Sequence, residues 1–289
     1  MGVHPYEATT KQSLTRHDTL IEVSRLLSKT PLLIRALGGL LPGLSKKHLQ
    51  QINTILEVAC GPGGWTQAMA RAYPRLHITG VDISHAMIAF ARSTLLHNSL
   101  ANITYLEIPS FTGPYPFEEA SFDLISAQFM SKFLTVDEWP IFLSACWHLL
   151  RPGGWLRLTD FEVSLTNSPA HEELSSLFIH AMRLAGRSFS PSDRHLGLLC
   201  ELESLLAAAG FQECFSTSHI VNYSYGAPLY EELKKDFLIL SREMQPLIVE
   251  MGLATQERVD ALHWRQSYEI DLPTFHALTP MLTMWGTKR

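Results

Sequence analysis

Two acidic residues and a glycine-rich turn form the part of the sequence best suited to bind a ligand. Glu57 lies within a short apolar run, and a Gly-Pro-Gly-Gly turn at residues 61–64 follows it. Asp82 comes eighteen residues after Gly64, at the end of a second apolar run. A glycine turn lets a ligand approach the N–H groups at a helix start, and a carboxylate at the adjacent strand end can accept both hydroxyls of a ribose. The pattern predicts a site for a nucleoside-containing ligand.

A dinucleotide-binding fingerprint fits this turn poorly. That pattern, G-x-G-x-x-G, needs a further glycine where the helix packs on the strand, and here Gln67 stands three residues after Gly64. The alternative interpretation of Asp82 is a charge that only stabilises the start of the helix beginning near Ser84. Because Glu57, the turn and Asp82 occur in register, the ribose-binding interpretation is favoured.

An alternation of apolar runs with helical patterns surrounds these residues and must position them. Apolar runs predict strands near residues 55–59, 77–82, 103–108, 122–127, 155–159, 213–223 and 282–286. Amphipathic patterns predict helices near residues 66–72, 84–97 and 139–150. Strands that alternate with helices favour a parallel sheet covered on both faces. We therefore expect an α/β fold built on a doubly wound, mostly parallel, seven-stranded sheet.

Helical segments are predicted before and within this pattern. Residues 1–53 form a helical cap in which Pro31 separates two helices, and residues 54–289 form the sheet domain. Further helical insertions are expected at about residues 165–195 and 226–272. The second insertion is far longer than a hairpin loop and carries an apolar face, so we expect it to cover a substrate pocket together with the cap. The alternative is a peripheral packing or dimerisation element.

Composition narrows the class of protein. The chain has 289 residues, 46% hydrophobic and 18% charged, and its formal net charge is -5 without a long basic run. Nucleic acid is therefore disfavoured as the main partner. The four cysteines lack metal-site or redox spacing, so we expect neither a metal nor a disulfide framework. Charged residues near the N-terminus and the lack of a long apolar run predict a cytoplasmic protein without a membrane segment.

Four short motifs in a fixed order resemble those of class I S-adenosylmethionine (SAM)-dependent methyltransferases. They are the glycine turn with its strand, the segments 80–84 and 121–125, and the turn 149–155. The resemblance covers about residues 54–160. It implies a Rossmann-like methyltransferase fold with SAM as cofactor and S-adenosylhomocysteine (SAH) as its product. It also implies the cofactor contacts, at Tyr6, Glu57, Ala59, Cys60, Gly61, Gly63, Asp82, Ile83, Met87, Phe111 and Gln128.

Two positions depart from the pattern of these enzymes. Relatives carry an acidic residue after the third strand that binds the adenine amino group, whereas this chain has Ile-Pro-Ser-Phe at residues 108–111. Phe111 would then pack against the adenine ring. Relatives often carry arginine after the fourth strand, whereas this chain has Gln128. Either departure is compatible with weaker SAM binding or with a repurposed site.

Residues 221–289 are similar to fungal small-molecule methyltransferases of secondary metabolism. This likeness implies methyl transfer to an oxygen, nitrogen or carbon atom of a small, largely apolar natural product. Two alternatives stay open. One is a SAM-binding protein that catalyses a non-methylating reaction such as a cyclisation, and the other is a regulatory partner in a protein complex. The acceptor, the methylated atom and the oligomeric state, a homodimer included, stay undetermined.

Methyl transfer requires alignment of the reacting groups, and a hydroxyl acceptor also requires a base within hydrogen-bond reach. Candidate bases are residues with a titratable side chain near the predicted strand ends or helix starts. They are His219 on the sixth strand, Asp160 after the fifth strand and His195 before the next helix.

Overall fold

A mixed sheet of eight strands lies at the centre of the part of the chain that the computed structural model describes, residues 20–98 and 100–289. The strands are β1 (Thr54–Val58), β2 (His77–Asp82), β3 (Ile103–Glu107), β4 (Phe122–Gln128), β5 (Leu150–Phe161), β6 (Leu165–Thr166), β7 (Gln212–Asn222) and β8 (Ala277–Thr287). Strands β3, β2, β1, β4 and β5 pair in that order and are parallel. Strand β8 runs antiparallel between β5 and β7, and the short β6 pairs with its first residues. The predicted doubly wound, mostly parallel sheet is confirmed.

Helices cover both faces of this sheet. They are α1 (Leu20–Ala36), α2 (Lys46–Gln51), α3 (Gly64–Ala72), α4 (His85–Asn98), α5 (Glu138–Leu149), α6 (Pro169–Leu184), α7 (Leu198–Ala208), α8 (Tyr230–Glu243), α9 (Gln245–Glu250) and α10 (Gln256–Glu269). Neighbouring residues of β1 point into different cores because side chains alternate along a strand. Ile55 packs with residues of α3 and α4, whereas Leu56 packs with residues of α5 and α7. The carboxyl ends of the parallel strands are therefore held rigidly between two packed layers.

Helix α1 corrects one expectation, because it continues through Pro31 instead of ending there. Proline removes a backbone donor and usually breaks a helix. Here the Pro31 ring is exposed to solvent, while residues on both sides of it are held by tertiary contacts. Val23 is buried before it, and Leu33 after it packs against a core shared with α8. Packing on the domain outweighs the local cost of the proline.

The predicted insertions are helical and pack together. Helix α6 packs on α10 through Leu174 and Leu262, and on α9 through Ala181 and Ile248. Helix α8 packs on α1 through a separate core that includes Leu233. These helices lie beyond the end of β5, where they form a layer over one part of the sheet edge. None of the described helices is both long and apolar enough to cross a membrane.

Candidate functional site

A cleft of about 1050 Å³, counted to its open mouth, lies between α1 and the carboxyl ends of β1, β2 and β4. Strand ends on one side and a covering helix on the other are the usual setting of a ligand site in an open α/β sheet. The ends of β1 and β2 contribute Glu57, Ala59, Cys60, Gly61, Asp82 and Ile83, and the helices contribute Trp65, Met87, Arg25 and Lys29. Gln128 comes from the end of β4, Lys132 from the turn after it and Arg157 from β5.

The turn after β1 has a backbone that favours glycine. Gly61 and Gly63 have φ angles of 52° and 84°, in the left-handed region, and Ala59 adopts 57°. A Cβ atom on Gly63 would lie 2.1 Å from the Tyr105 hydroxyl oxygen, so no larger residue fits there. The turn therefore brings backbone N–H groups to the wall of the cleft at the start of α3.

Asp82 connects this turn to the next strand. Its Oδ2 accepts a hydrogen bond from the Gly61 N–H at 2.8 Å, and its Oδ1 accepts one from the Ser84 N–H at 2.9 Å. The Ser84 hydroxyl in turn caps α4 by accepting the Met87 N–H. Each carboxylate oxygen can accept more than one hydrogen bond, and Asp82 lines the cleft. Asp82 can therefore hold the turn and still bind hydroxyl groups of a ligand.

Two buried titratable residues, Glu57 and Arg157, line the floor of the cleft. Glu57 accepts a short hydrogen bond from the Thr66 hydroxyl, and burial raises its pKa to about 8 although Arg157 opposes the shift. Arg157 donates to the Ser126 hydroxyl at 3.1 Å, and its guanidinium lies 5.7 Å from the centre of the Trp65 ring. Burial lowers the pKa of Arg157 to about 10. Its Nε has no hydrogen-bond partner among the described residues.

The cofactor contacts expected from the sequence divide into three groups. Eight of them line the cleft: Glu57, Ala59, Cys60, Gly61, Asp82, Ile83, Met87 and Gln128. Gly63 does not line the cleft and instead packs against the Tyr105 side chain. Phe111 lies in the core, where its ring centre is 5.0 Å from that of Phe133. Tyr6 lies outside the described residues. The residues expected at the ends of β1, β2 and β4 therefore line one cleft. Phe111, which follows β3, is buried in the core and does not line that cleft.

A second cavity of about 810 Å³ lies beside the first, under the insertion helices. Its wall is largely apolar and comes from the end of β5, α6, α8 and α9, including Phe161, Val163, Leu174, Phe178, Phe237, Leu240, Met244 and Ile248. Two buried polar atoms on residues of this wall, Nδ1 of His171 and Oε1 of Gln266, have no partner among the described residues. Unpaired buried polar atoms are rare and indicate where a ligand can bind.

Lys132 is the residue that lines both cavities within the described chain. It ends a short 3-10 turn, Met130–Lys132, that follows β4. Lys132 and Arg157 were not among the residues expected from the sequence, although each had a signal in it. Arg157 interrupts an apolar run predicted to be buried, and Lys132 follows a strand at its carboxyl end, where ligands bind.

The three candidate bases lie apart from one another, and none lines either cavity. Asp160 accepts hydrogen bonds from the backbone N–H (3.0 Å) and hydroxyl (2.6 Å) of Ser131. Burial raises the pKa of Asp160 to about 6. His219 is half-buried on β7, where burial lowers its pKa, and His195 is exposed with Nε2 3.4 Å from the Ser190 hydroxyl. Their catalytic roles stay predictions, and Asp160 holds the turn that carries Lys132.

The sequence of this chain is similar to that of known methyltransferases. Residues 55–154 match a family model described as a methyltransferase domain, about a third of the chain. A demethylmenaquinone methyltransferase of Listeria monocytogenes is 27% identical over 188 residues, which cover 62% of this chain and 77% of that protein. A malonyl-[acyl-carrier protein] O-methyltransferase of a Paenibacillus species is 28% identical over 186 residues, covering 64% of this chain and 62% of that protein.

Solved structures share the fold at low sequence identity. Phosphoethanolamine N-methyltransferase 2 of Haemonchus contortus, solved with SAM, has a TM-score of 0.56 at 16% identity and covers 100% of this chain and 61% of its own. The YcgJ protein of Bacillus subtilis has a TM-score of 0.52 at 16% identity, covering 90% of this chain and 98% of its own. The matched domain and the four motifs indicate a SAM-dependent methyltransferase, and the solved structures show that the chain shares their fold.

Proposed function

We propose that the enzyme methylates a small, largely apolar acceptor that binds in the second cavity. The observation that carries this proposal is the pair of adjoining cavities with Lys132 on the wall of both. The first cavity has strand-end carboxylates and a glycine turn, while the second has an apolar wall. Two neighbouring sites with these different linings suit a polar cofactor and an apolar substrate.

The residues of the first cavity fit the chemical groups of SAM. Asp82 is suited to the ribose hydroxyls, and the N–H groups of the turn at residues 61–64 to the methionine carboxylate. Ile83 and Met87 supply apolar surface for the adenine, and Glu57 supplies a carboxyl group at the floor. When bound, SAM supplies an electrophilic methyl group on a sulfonium. The residues of the chain orient the acceptor towards that methyl group and exclude water.

The acceptor class is proposed from the second cavity and from two resemblances. The side chains of Phe161, Phe178, Phe237 and Met244 suit a ring or an alkyl chain. One relative is named as a demethylmenaquinone methyltransferase, and the C-terminal segment is similar to enzymes of fungal secondary metabolism. We propose that α8 and α9, within the insertion at residues 226–272, act as the lid of the acceptor site.

Calorimetric titration and a labelling assay test this proposal. We expect SAM and SAH to bind the purified protein and NAD to show no binding, because the glycine turn lacks the dinucleotide fingerprint. The protein is then incubated with methyl-labelled SAM and a set of phenols, hydroquinones, amines and fatty acids. Transfer of the label to an apolar member supports the proposal. Failure of SAH to bind, or transfer only to strongly polar acceptors, would contradict it.

A further inference from the structure

We propose that Lys132 is the catalytic base of this enzyme and that the acceptor is an ionisable hydroxyl compound, a phenol or hydroquinone, with an apolar body. This inference rests on the proposed function, because it assumes SAM in the first cavity and the acceptor in the second. Four observations support it: the place of Lys132, the way its backbone is held, the charges around it, and the lining of the second cavity.

Lys132 lies where the two substrates must meet. It lines the cleft assigned to SAM and the apolar cavity assigned to the acceptor, and among the described residues no other side chain does so. Its Nζ is 5.7 Å from the ring centres of both Phe129 and Phe161. No carboxylate of the described chain forms an ion pair with it. The amine is therefore available to a group that enters from either cavity.

The backbone around Lys132 is fixed from both sides. Asp160 accepts hydrogen bonds from the N–H and hydroxyl of Ser131, and the carbonyl oxygen of Lys132 accepts one from Arg187 at 2.5 Å. The Lys132 N–H donates to the Phe129 carbonyl oxygen at 3.2 Å. These hydrogen bonds fix the turn and so keep the Lys132 side chain between the two cavities. A catalytic base needs such a fixed position within reach of the acceptor.

Charged groups on three elements face Lys132. They are Glu22, Arg25 and Lys29 on α1, Asp236 and Glu243 on α8, and Asp160 on β5. Both Glu22 and Asp236 pair with Arg25, so the carboxylates nearest α1 are already neutralised. Burial, with repulsion from Lys29 and Arg25, lowers the pKa of Lys132 to about 7. A large fraction of the amine is then neutral at neutral pH and able to accept a proton.

The second cavity indicates which acceptor would meet this amine. Its apolar wall suits an aromatic body, and the unpaired Oε1 of Gln266 requires a hydrogen-bond donor on the ligand. Burial lowers the pKa of His171 to about 4, so this neighbour is a neutral imidazole rather than a cation. A phenol or hydroquinone supplies an acidic hydroxyl for Lys132 and, in the second case, a further hydroxyl for the wall.

The step balances with these groups. The acceptor hydroxyl gives its proton to Lys132 Nζ, which becomes an ammonium. The acceptor oxygen, or a ring carbon conjugated with it, forms the new bond to the methyl carbon, while the methyl–sulfur bond breaks and leaves its electron pair on sulfur. A ring carbon that reacts then gives up its hydrogen as a proton to water, which restores the aromatic ring. No oxidant or reductant is needed, and the product leaves after Lys132 returns its proton to water.

A binding experiment with 4-nitrophenol tests the proposal without turnover. This phenol is colourless when neutral and yellow when ionised. It is added to the SAH-saturated enzyme at a pH one unit below its own pKa. We expect the wild-type complex to hold the yellow phenolate, because the phenolate pairs with the ammonium form of Lys132. The variant Lys132→Met should bind the phenol in its colourless form, and Lys235→Met, which removes an exposed lysine of α8, should behave as wild type.

Competitive acetylation with peptide mass spectrometry gives a second measurement that needs no variant. Lys132 in the SAH complex should become reactive with a midpoint near pH 7, at a lower pH than Lys235. In turnover, Lys132→Met should lower kcat/KM for a phenol acceptor about 10²–10⁴-fold. SAH affinity should stay within threefold, and Lys132→Arg should not restore the rate.

The outcomes separate the two proposals. If SAH does not bind the wild-type protein, the proposed function fails and this inference fails with it. If SAH binds but 4-nitrophenol does not, the acceptor class is wrong. If the phenol ionises equally in wild type and Lys132→Met, or if Lys132 becomes reactive only at the same pH as Lys235, Lys132 is not the base.

Discussion

Asp82 combines a structural contact with a position on the wall of the first cleft. Its two carboxylate oxygens accept the N–H groups of Gly61 and Ser84, and thereby connect the turn after β1 with the start of α4. The same oxygens retain lone pairs for a ligand. Asp82 can therefore stabilise the start of α4 and bind a ligand at the same time, so the two interpretations of this residue are compatible.

Replacing Asp82 by alanine tests its role in cofactor binding. Loss of a charge-assisted pair of hydrogen bonds should cost about 2–3 kcal/mol of SAH affinity, which is roughly thirty- to 150-fold. The matched control is Glu107→Ala, because Glu107 is the register partner of Asp82 at the end of β3 but does not line the cleft. Calorimetric titration measures both variants. An unchanged Kd for Asp82→Ala would refute the ribose-binding role.

Glu57 shows a different effect, the cost of burying a carboxyl group. Its pKa of about 8 lies well above the ordinary value of 4.5, because burial disfavours the charged form. Arg157 is buried nearby with a lowered pKa, so the two residues only partly compensate each other. Glu57 is therefore largely protonated in the free enzyme at neutral pH.

The pH dependence of stability tests this statement. The folded state holds a proton on Glu57 that the unfolded state has lost between pH 4.5 and 8. The contribution of Glu57 to stability is thus fully present below pH 4.5 and falls as the pH rises through this window. Compared with Glu57→Gln, the wild-type protein should lose free energy of unfolding from pH 5 to pH 8 in denaturant titrations. Exposed Glu118→Gln should show no such difference, and parallel curves for wild type and Glu57→Gln would contradict the assignment.

At the scale of elements, a buried ion network connects α1 with α8. Asp236 of α8 pairs with Arg25 and, at 2.8 Å, with Lys29 of α1. Glu22 pairs with Arg25 at 2.6 Å. Because α1 forms one wall of the first cleft and α8 one wall of the second, this network joins a wall of one cavity to a wall of the other.

Replacing Asp236 by asparagine should loosen this contact. Removal of this carboxylate leaves Lys29 without its ion-pair partner and leaves Arg25 with Glu22 alone, and we expect a loss of about 3–5 kcal/mol in the free energy of unfolding. Hydrogen exchange should become faster in α1 and α8 before it does so in β1 or β4. The control is Asp271→Asn, which removes a half-exposed partner of Lys234 and should change stability by less than about 0.5 kcal/mol. Equal exchange in α1 for wild type and Asp236→Asn would show that the network does not hold the helix.

At the scale of the molecule, the two cavities assign different parts of the chain to different tasks. The β1–β4 half of the sheet builds the first cleft, and the insertion helices with the end of β5 build the second cavity. If cofactor and acceptor bind separately in them, a change confined to the second cavity should leave cofactor affinity almost unchanged.

A pair of adjacent substitutions on α6 makes this test. Ser175 lines the second cavity, whereas Ser176 is exposed on the same helix. Ser175→Trp should fill the cavity and lower methyl transfer to the acceptor more than tenfold, while Ser176→Trp should leave it unchanged. Both variants should bind SAH within threefold of wild type. A loss of SAH affinity in Ser175→Trp alone, or normal turnover by that variant, would show that the acceptor does not bind there.

The sequence by itself determined the sheet and the strand-end part of the site. Short buried apolar runs and the turns between them are local features, so the order of β1 to β5 and the helices between them could be predicted. The positions of Glu57, the glycine turn and Asp82 followed, because carboxyl ends of neighbouring parallel strands meet at one edge. The glycines at 61 and 63 have φ angles that a side chain disfavours, and that requirement is visible in sequence.

Only the tertiary structure decided the features that depend on contacts between distant segments. Helix α1 runs through Pro31 because packing on both sides of the proline outweighs its local effect. The turn after β4 meets the end of β5, where Asp160 accepts hydrogen bonds from Ser131. This contact places Lys132, the next residue, between the two cavities. The pairing of Asp236 with α1 joins residues 211 positions apart. Burial and long-range contacts decide which titratable side chains are neutral, which form ion pairs and which line a cavity. No local sequence pattern encodes these contacts.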